Sequence, residues 1–243
     1  MNPVRFYGGS HEKDRFLSIA VSIVIVFAVV TMLCQKDMGI PLAQAQEQKS
    51  AASIIDLPSP VLDGSISIEK ALSERRTVRS YSDKPLSLAD ISQILWAAQG
   101  ITEPNRGLRT APSAQASYLL KVYILTGKVA GLTMGMYQYQ PQGHKLVKIA
   151  DGDIKANLYS AAPQNSIKNA PAAIVITGLS NKAKNPSWIY LEAGHVAQNI
   201  CLQAVSLNIG TVTMAGFKPE EVKKALKLPD NEQPVYIMPI GKK

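Results

Sequence analysis

The stretch ERRTVRSY, Glu74–Tyr81, contains three arginines and two short hydroxyl side chains directly after a predicted helix. Guanidinium groups match phosphate oxygens with paired hydrogen bonds, and hydroxyl groups add neutral ones. The stretch therefore predicts phosphate binding by Arg75, Arg76, Thr77 and Arg79. The alternative, from the residues alone, is a solvated basic turn without a ligand, because runs of charge usually face water.

A second stretch, RTAPSAQASYLLKVYIL, covers residues 109–125 and passes from a loop of small residues into an apolar strand. Such a loop allows a flat ligand to approach backbone N–H and C=O groups, and loops carry binding residues more often than the elements they join. The candidate contacts are Pro112, Ser113, Ala114 and Gln115. The alternative is an ordinary turn that leads into a strand.

A third stretch, residues 191–217, begins with the apolar periodicity of a long helix. Glu192 and His195 are spaced like ligands of a di-iron centre, but such a centre needs a second copy of the pair. Cys34 and Cys201 are the only cysteines, and their separation fits neither a metal site nor a disulfide framework. No metal site is predicted. The G-x-S-x-G, G-x-G-x-x-G and Walker patterns are absent, so a Ser-His-Asp hydrolase is not supported and neither a dinucleotide-binding Rossmann domain nor a P-loop is predicted.

Helix and strand signals alternate irregularly along the chain. Ser67 begins a short helix, and Ser87 begins a second one, with Asp90 in the capping-box position and Gly100 as a left-handed end. The longest helix begins at Asn185-Pro186 and is closed by Gly210. Further predictions are a helix over 218–226 and strands over 118–125, 136–139, 145–149, 172–177 and 234–240. Because there is no regular βαβ repeat, the pattern predicts an α+β fold.

The composition is that of a globular domain with an appendage: 243 residues, 46% apolar and 18% charged, with a formal net charge of +8. This positive charge suggests an anionic partner. No basic stripe is interleaved with aromatic residues, however, so nucleic acid is not predicted. A phosphate group on a small ligand is the partner that the charge favours.

The N-terminal part contains an uncharged run, FLSIAVSIVIVFAVVTMLC at residues 16–34, long enough to span a bilayer core as a helix. The basic residues before it favour a cytoplasmic N-terminus and a translocated domain. The run is either a retained anchor or a signal peptide cleaved after Ala45, where Ala43-Gln44-Ala45 resembles a cleavage site. The predicted location is thus membrane-anchored outside the cytoplasm, or secreted or periplasmic after cleavage. The predicted division is a flank (1–15), a transmembrane or signal segment (16–34), a linker (35–56) and a domain (57–243).

Together, the three stretches resemble the nitroreductase superfamily, and within it the SagB-type, azoline-oxidising dehydrogenase branch. ERRTVRSY resembles the entry motif Arg-Arg-Ser/Thr-x-Arg, and RTAPSAQASYLLKVYIL resembles the branch pattern RTAPSAGALYPLEVYV. Gln115 stands where the branch usually has Gly, and Leu119 where it has Pro. The resemblance covers residues 57–241 and implies a nitroreductase-like fold, with a mostly antiparallel central sheet covered by helices.

The resemblance also implies an FMN site. Arg75, Arg76 and Thr77 would hold the phosphate and ribityl end, and Arg79 would reach the isoalloxazine ring. The loop Pro112–Gln115 would line the flavin, often from the other subunit. The turn at Ala215 and Gly216 would direct a backbone N–H at flavin N5, a contact that tunes flavin chemistry. Lys242 or Lys243 would supply the basic group that the family's C-terminal tail gives to the phosphate.

The activity implied is that of an FMN-dependent oxidoreductase. The resemblance further implies a homodimer that transfers hydride or electrons to a small-molecule substrate by a ping-pong mechanism. NAD(P)H is the candidate electron donor, although it is scarce outside the cytoplasm. No catalytic side chain is assigned, because the protein mainly orients and tunes the flavin. Two alternatives remain: a membrane-tethered flavin-binding module without turnover, and an azoline dehydrogenase that acts on a modified peptide.

Overall fold

The computed structural model describes residues 53–243. The apolar run at 16–34, predicted to be an anchor or signal peptide, lies outside the described residues. Within residues 53–243, no helix combines the length and the apolar character needed to cross a membrane.

The strands of the described region belong to one large sheet and one small ribbon. They are β1 (Ile54–Asp56), β2 (Ile101–Glu103), β3 (Leu108–Arg109), β4 (Leu120–Thr126), β5 (Gly135–Gln140), β6 (Lys145–Asp151), β7 (Ala172–Leu179), β8 (Ile209–Thr211) and β9 (Glu232–Lys242). The large sheet has seven strands in the order β1-β6-β5-β4-β7-β9-β8, while β2 and β3 form the ribbon. Every neighbouring pair in the large sheet is antiparallel, which confirms the predicted sheet type.

Helices cover both faces of this sheet, which confirms the α+β prediction. They are α1 (Ile68–Glu74), α2 (Leu88–Gln99), α3 (Ile154–Ala161), α4 (Asn165–Asn169), α5 (Ser187–Ser206) and α6 (Pro219–Leu226). On β4, Ile124 packs into the cluster with the residues of α2 and α5, whereas Tyr123 packs into the cluster with α3, α4 and α6. Because alternate side chains of β4 and β7 face two apolar layers, both strands are continuous apolar runs rather than alternating ones.

Helix α2 begins as predicted. The Ser87 hydroxyl accepts from the Asp90 backbone N–H at 3.1 Å, and the Asp90 carboxylate accepts from the Ser87 N–H at 2.8 Å, which completes the capping box. The predicted left-handed end at Gly100 is wrong, since Gly100 has φ −61° and ψ 147°. A glycine is needed there for a different reason: a Cβ would collide with the Trp96 side chain as the chain passes directly into β2.

Helix α5 also ends before the predicted position. Its last residue is Ser206, and Gly210 lies inside β8. The left-handed residue after the helix is Asn208, with φ 51°. Asparagine tolerates this conformation because its short polar side chain can hydrogen-bond locally. A prediction based on glycine alone therefore places the end of this helix too late, because asparagine takes the left-handed position.

Several elements were not predicted. Helix α3 buries only Leu158, so its sequence shows little apolar periodicity, although the Asp153 side chain caps it by accepting from the Ala156 N–H at 3.0 Å. Strand β1 lies in the region predicted to be linker and pairs with β6 through Ile54–Val147 and Asp56–Lys145. Three residues give too short a pattern to recognise in sequence.

Candidate functional site

The arginine-rich stretch leaves α1 and runs along the edge of the large sheet. The Val78 N–H donates to the Thr211 carbonyl oxygen of β8 at 2.9 Å, and the Ser82 N–H donates to the Lys242 carbonyl oxygen of β9 at 2.8 Å. The segment between these two bonds is therefore fixed relative to the edge strand β8 and its neighbour β9. It also carries Arg79.

Two glycines allow this close approach. A Cβ added to Gly210 would lie 2.5 Å from Val78 Cγ1, and one added to Gly241 would lie 2.8 Å from Tyr81 Cβ. The Tyr81 hydroxyl, 3.3 Å from the Pro239 carbonyl oxygen, adds a further bond to β9, and burial raises the pKa of this phenol. The arginine segment thus lies directly against backbone that has no side chain in the way.

The predicted phosphate ligands are accessible on this segment. Arg75 is half-buried at the end of α1, whereas Arg76, Thr77 and Arg79 are exposed. The Arg76 guanidinium donates to the Ser73 and Arg75 carbonyl oxygens at 2.9 and 2.8 Å. These bonds satisfy the last carbonyls of the helix and hold the Arg76 guanidinium beside Arg75.

Arg75 also lies near Cys201 of α5. Burial raises the pKa of the Cys201 thiol, and the Thr213 hydroxyl, 3.7 Å from Cys201 Sγ, and the charge of Arg75 partly oppose this effect. Thr213 is two residues before Ala215. The charge of Arg75 thus reaches the Cys201 thiol, which contacts the segment that leads to the turn predicted to face the flavin ring.

The turn at Ala215 and Gly216 is open. Met214 forms a bridge to Ile237, with both backbone bonds at 3.0 Å, and the Phe217 N–H donates to the Ala215 carbonyl oxygen at 3.0 Å. Ala215 and Gly216 are exposed, and a Cβ added to Gly216 would meet no atom within 4 Å. The turn is fixed at both ends and leaves room over its backbone.

The two C-terminal lysines have different surroundings. Lys242 Nζ lies 2.8 Å from Asp90 Oδ1 and 3.2 Å from the Leu207 carbonyl oxygen. Burial raises the pKa of Asp90, but hydrogen bonds from Lys242 and Ser87 outweigh that effect and hold the pKa below its usual value. The Lys242 ammonium thus joins the end of β9 to the starts of α2 and β8, while Lys243 is exposed.

The loop Pro112–Gln115 is held by the N-terminal half of α5. The buried Glu192 carboxylate accepts from the Ser113 hydroxyl at 2.6 Å and from the Leu119 N–H at 3.1 Å. The Asn199 amide donates to the Thr110 carbonyl oxygen at 3.2 Å. One helix face therefore anchors the loop at its start, its middle and its end.

The backbone of this loop is strained. Gln115, Ala116 and Tyr118 have φ values of 54°, 51° and 46°, in the left-handed region that disfavours side chains with a Cβ. The hydrogen bonds to Glu192 lie on both sides of these residues. They hold the chain in a conformation that it would otherwise leave.

Glu192 and Gln99 are site residues that the sequence did not identify in this role. The Gln99 amide donates to Glu192 Oε1 at 3.2 Å, and its carbonyl oxygen accepts from Arg109 at 2.8 Å. The sequence feature that indicates this role is a glutamate among the apolar positions of a long helix. A glutamate buried there needs hydrogen-bond donors around it, which a search for metal ligands does not consider.

The structure brings the predicted residues together as two groups. Backbone hydrogen bonds join the arginine segment to β8 and β9, near the turn at Ala215 and the two lysines. A second set joins the Pro112–Gln115 loop to α5. Within residues 53–243, no hydrogen bond connects the loop to the arginine segment.

Known proteins resemble this chain in sequence and in fold. The model of the nitroreductase family matches residues 72–242. A protein from Methanocaldococcus jannaschii that carries the nitroreductase name is 38% identical over 185 residues, which cover 73% of this chain and 92% of that protein.

Among solved structures, a Ralstonia eutropha protein with the same family name has a TM-score of 0.68 at 25% identity, covering 78% of this chain and 89% of its own. A chain of the Escherichia coli microcin synthetase complex has a TM-score of 0.60 at 21% identity, covering 93% and 94%. This second likeness concerns the fold alone.

The family match covers most of the chain, and the arginine segment and the anchored loop both lie within it. The chain therefore belongs to the nitroreductase family, whose members are generally flavin-dependent oxidoreductases.

Proposed function

We propose that the protein is an FMN-dependent oxidoreductase that transfers reducing equivalents to a small-molecule acceptor. The observation that carries the proposal is the fixed arginine segment. It is hydrogen-bonded to β8 and β9, lies against Gly210 and Gly241, and presents exposed cationic and hydroxyl groups. Such a surface suits a phosphate group, since guanidinium and hydroxyl groups donate to its oxygens.

In this proposal, Arg75, Arg76 and Thr77 bind the FMN phosphate, and Arg79 reaches towards the ring. Ala215 and Gly216 lie along the ring because their backbone is open and held at both ends. Lys243 is the second candidate for the phosphate, since the Lys242 ammonium is already bonded to Asp90.

Bound FMN would supply hydride transfer, taking the hydride from a donor such as NAD(P)H and passing it to the acceptor in a ping-pong cycle. The residues of the chain would bind the cofactor and hold its ring in one orientation relative to the donor and the acceptor. No side chain is assigned a proton-transfer role.

We propose a homodimer in which the Pro112–Gln115 loop contacts the flavin of the other subunit. The support is the grouping of the site residues: the loop is attached to α5 and not to the arginine segment. Tyr190 and Leu191 on the same helix are exposed and add apolar surface, which suits a subunit contact.

Within the family, we favour the SagB-type branch, because residues 109–125 follow its pattern. Peptide azoline oxidation is the corresponding activity. We rank it below general reduction, since the relative that covers most of the chain carries the nitroreductase name. A flavin-binding module without turnover is the alternative that Gln115 favours, because a side chain replaces the glycine usual in the loop.

The proposed arrangement of the chain is a flavin domain at 57–243 behind a membrane anchor or signal peptide at 16–34. The uncharged run and the Ala43-Gln44-Ala45 site support this arrangement. The domain would then lie outside the cytoplasm. Mass measurement of the mature N-terminus distinguishes retention from cleavage after Ala45.

The visible spectrum of purified full-length protein tests the cofactor. A flavin spectrum that bleaches with NADH or NADPH under anaerobic conditions is expected. A yellow protein that neither donor reduces would favour the binding module, and a colourless protein that takes up no added FMN would refute both.

The phosphate contacts have their own test. The double variant Arg75→Ala, Arg76→Ala should lose FMN in gel filtration, whereas Arg106→Ala, an exposed arginine paired with Glu103, should retain it. Unchanged flavin occupancy in the double variant would refute the phosphate assignment.

A further inference from the structure

A cavity lies at the ends of β4 and β5, and its lining includes Arg109 and Tyr118, which flank the Pro112–Gln115 loop in sequence. Its volume is about 270 Å³. This is just below the range of about 300–1,000 Å³ usual for drug-sized ligands, so it has room for a small metabolite. Its lining contains Arg109, Lys121 and Lys182 and no aspartate or glutamate.

Arg109 is the residue that points to a ligand. Its NH1 group donates to Gln99 Oε1 at 2.8 Å, and its guanidinium carbon lies 4.2 Å from the centre of the Tyr118 ring. Its Nε is buried and has no hydrogen-bond partner. Nε is thus sealed from any ligand, whereas the Nη2 group is neither buried nor hydrogen-bonded within residues 53–243 and is the guanidinium donor left for an acceptor in the cavity.

The other two cations differ in how far their charge is already compensated. Lys121 Nζ lies 2.6 Å from the buried Glu232 carboxylate, which neutralises it. Lys182 is exposed and forms no ion pair with any residue of the region 53–243. Arg109 and Lys182 therefore supply the donors that remain for a bound anion.

The remaining polar lining is made of uncharged groups. Gln138, Gln140, Gln142 and Tyr118 line the cavity. These groups hydrogen-bond to an organic acid without repelling its charge. A carboxylate has the planar, two-oxygen geometry that a guanidinium matches, and the amides suit further polar atoms of an organic molecule.

We propose that this cavity binds a small organic acid through a carboxylate, with Arg109 as its principal partner and Lys182 as the second positive charge. The site is separate from the proposed flavin contacts. It is connected to the flavin loop through the hydrogen bonds Arg109–Gln99, Gln99–Glu192 and Glu192–Ser113. Binding requires no flavin.

Isothermal titration calorimetry of full-length protein, with and without added FMN, tests the site. The probe is succinate, with succinamide as the uncharged counterpart and inorganic phosphate as the competing anion. We expect succinate to bind in both forms of the protein, succinamide to show no heat, and phosphate to bind more weakly. Binding in flavin-free protein separates this proposal from the proposed cofactor.

Two variants identify the cavity as the binding site. Arg109→Lys keeps the charge but loses the planar fork, and should weaken succinate binding by about tenfold, since a hydrogen bond to a charged group contributes roughly that much. Lys182→Gln, at an exposed position, should weaken it by about threefold or more without affecting the fold. Lys224→Gln, on the exposed side of α6, is the matched control and should leave binding unchanged.

Three results would overturn the proposal. They are no binding of succinate to the wild type, stronger binding of phosphate than of succinate, and unchanged succinate binding in Lys182→Gln and Arg109→Lys.

Discussion

The Ser113 hydroxyl donates to Glu192 Oε2 over 2.6 Å, and this bond links the Pro112–Gln115 loop to the buried face of α5. The same oxygen accepts from the Leu119 N–H, at the start of the central strand β4. A carboxylate can accept at several positions, so a single buried side chain fixes both ends of a short, strained loop.

Glu192→Gln should destabilise the protein. The amide oxygen can replace one acceptor, but the NH₂ group presents donors to groups that are themselves donors. We expect a loss of about 2–3 kcal/mol in the free energy of unfolding, because hydrogen bonds to a buried charge are among the strongest. Urea denaturation measures it. Glu221→Gln, an exposed residue paired with Lys218, should change stability by no more than about 0.5 kcal/mol. Equal effects of the two variants would contradict the anchoring role.

Substitution of the two C-terminal lysines should have different effects, one on stability and the other on flavin binding. Lys242→Ala leaves the nearly buried Asp90 carboxylate without its ion-pair partner, so the free energy of unfolding should fall by about 1–3 kcal/mol. Lys243→Ala should leave stability within about 0.5 kcal/mol of wild type but weaken FMN binding, if Lys243 reaches the phosphate. Chemical denaturation and flavin fluorescence titration measure these effects. A Lys242 variant of normal stability that loses FMN would reverse the assignment.

His144 should make stability depend on pH. Burial lowers the pKa of His144, partly opposed by its hydrogen bond to the Pro58 carbonyl oxygen. Because the folded pKa is below the unfolded value, the unfolded chain binds more protons as the pH falls from about 6.5. The contribution of His144 to stability is therefore complete above that pH and is lost below it.

Unfolding experiments between pH 7 and pH 5 measure this slope, and His144→Gln should flatten it. Tyr139→Phe is a useful comparison, since it removes the hydroxyl that lies 2.8 Å from His144 Nδ1 but keeps the titrating ring. With Nε2 donating to the Pro58 carbonyl oxygen, the unprotonated Nδ1 accepts from this hydroxyl and loses the bond on protonation, so the variant should lower stability most at pH 7 and keep a smaller slope. A slope that persists in His144→Gln would assign the pH dependence to other groups.

The sequence predicted those parts of the structure that depend on interactions between residues close together in the chain. The capping box at Ser87 and the apolar runs of β4 and β7 depend on neighbouring residues, and they appear as predicted apart from their exact ends. The ion pair between Lys242 and Asp90 joins residues far apart in sequence, and the Glu192 network depends on where α5 crosses the loop. No short pattern encodes such contacts, so the differing roles of the two lysines became visible only in the fold.

Gly210 should be intolerant of a side chain. Gly210→Ala would place a methyl group 2.5 Å from Val78 Cγ1 and displace the arginine segment from β8. We expect a loss of about 1–3 kcal/mol in the free energy of unfolding, as is usual for overpacking, together with weaker FMN binding. Gly64→Ala, where no atom lies within 4 Å of the added Cβ, is the control and should be close to neutral. Normal FMN binding and stability in Gly210→Ala would show that the close approach is dispensable.

Gln115→Gly, which introduces the glycine of the branch pattern, should raise the stability of the protein. Its φ of 54° and ψ of 26° lie in the left-handed region, which costs a residue with a Cβ about 1–2 kcal/mol. Gln115→Gly removes this strain but also gives the unfolded chain more freedom, so a net gain of about 0.5–1 kcal/mol is expected. Thermal unfolding measures the gain.

Ser117→Gly is the matched control for this change, because Ser117 lies in the same exposed loop with an ordinary φ of −72°. There the added freedom of the unfolded chain has nothing to offset it, so Ser117→Gly should lower stability. If Gln115→Gly and Ser117→Gly destabilise the protein equally, the loop is not strained at Gln115. Suppose that Gln115→Gly is stabilising and leaves FMN binding unchanged. The strain at Gln115 is then not needed for FMN binding, and a contact of the glutamine side chain in the assembled site would have to account for its presence.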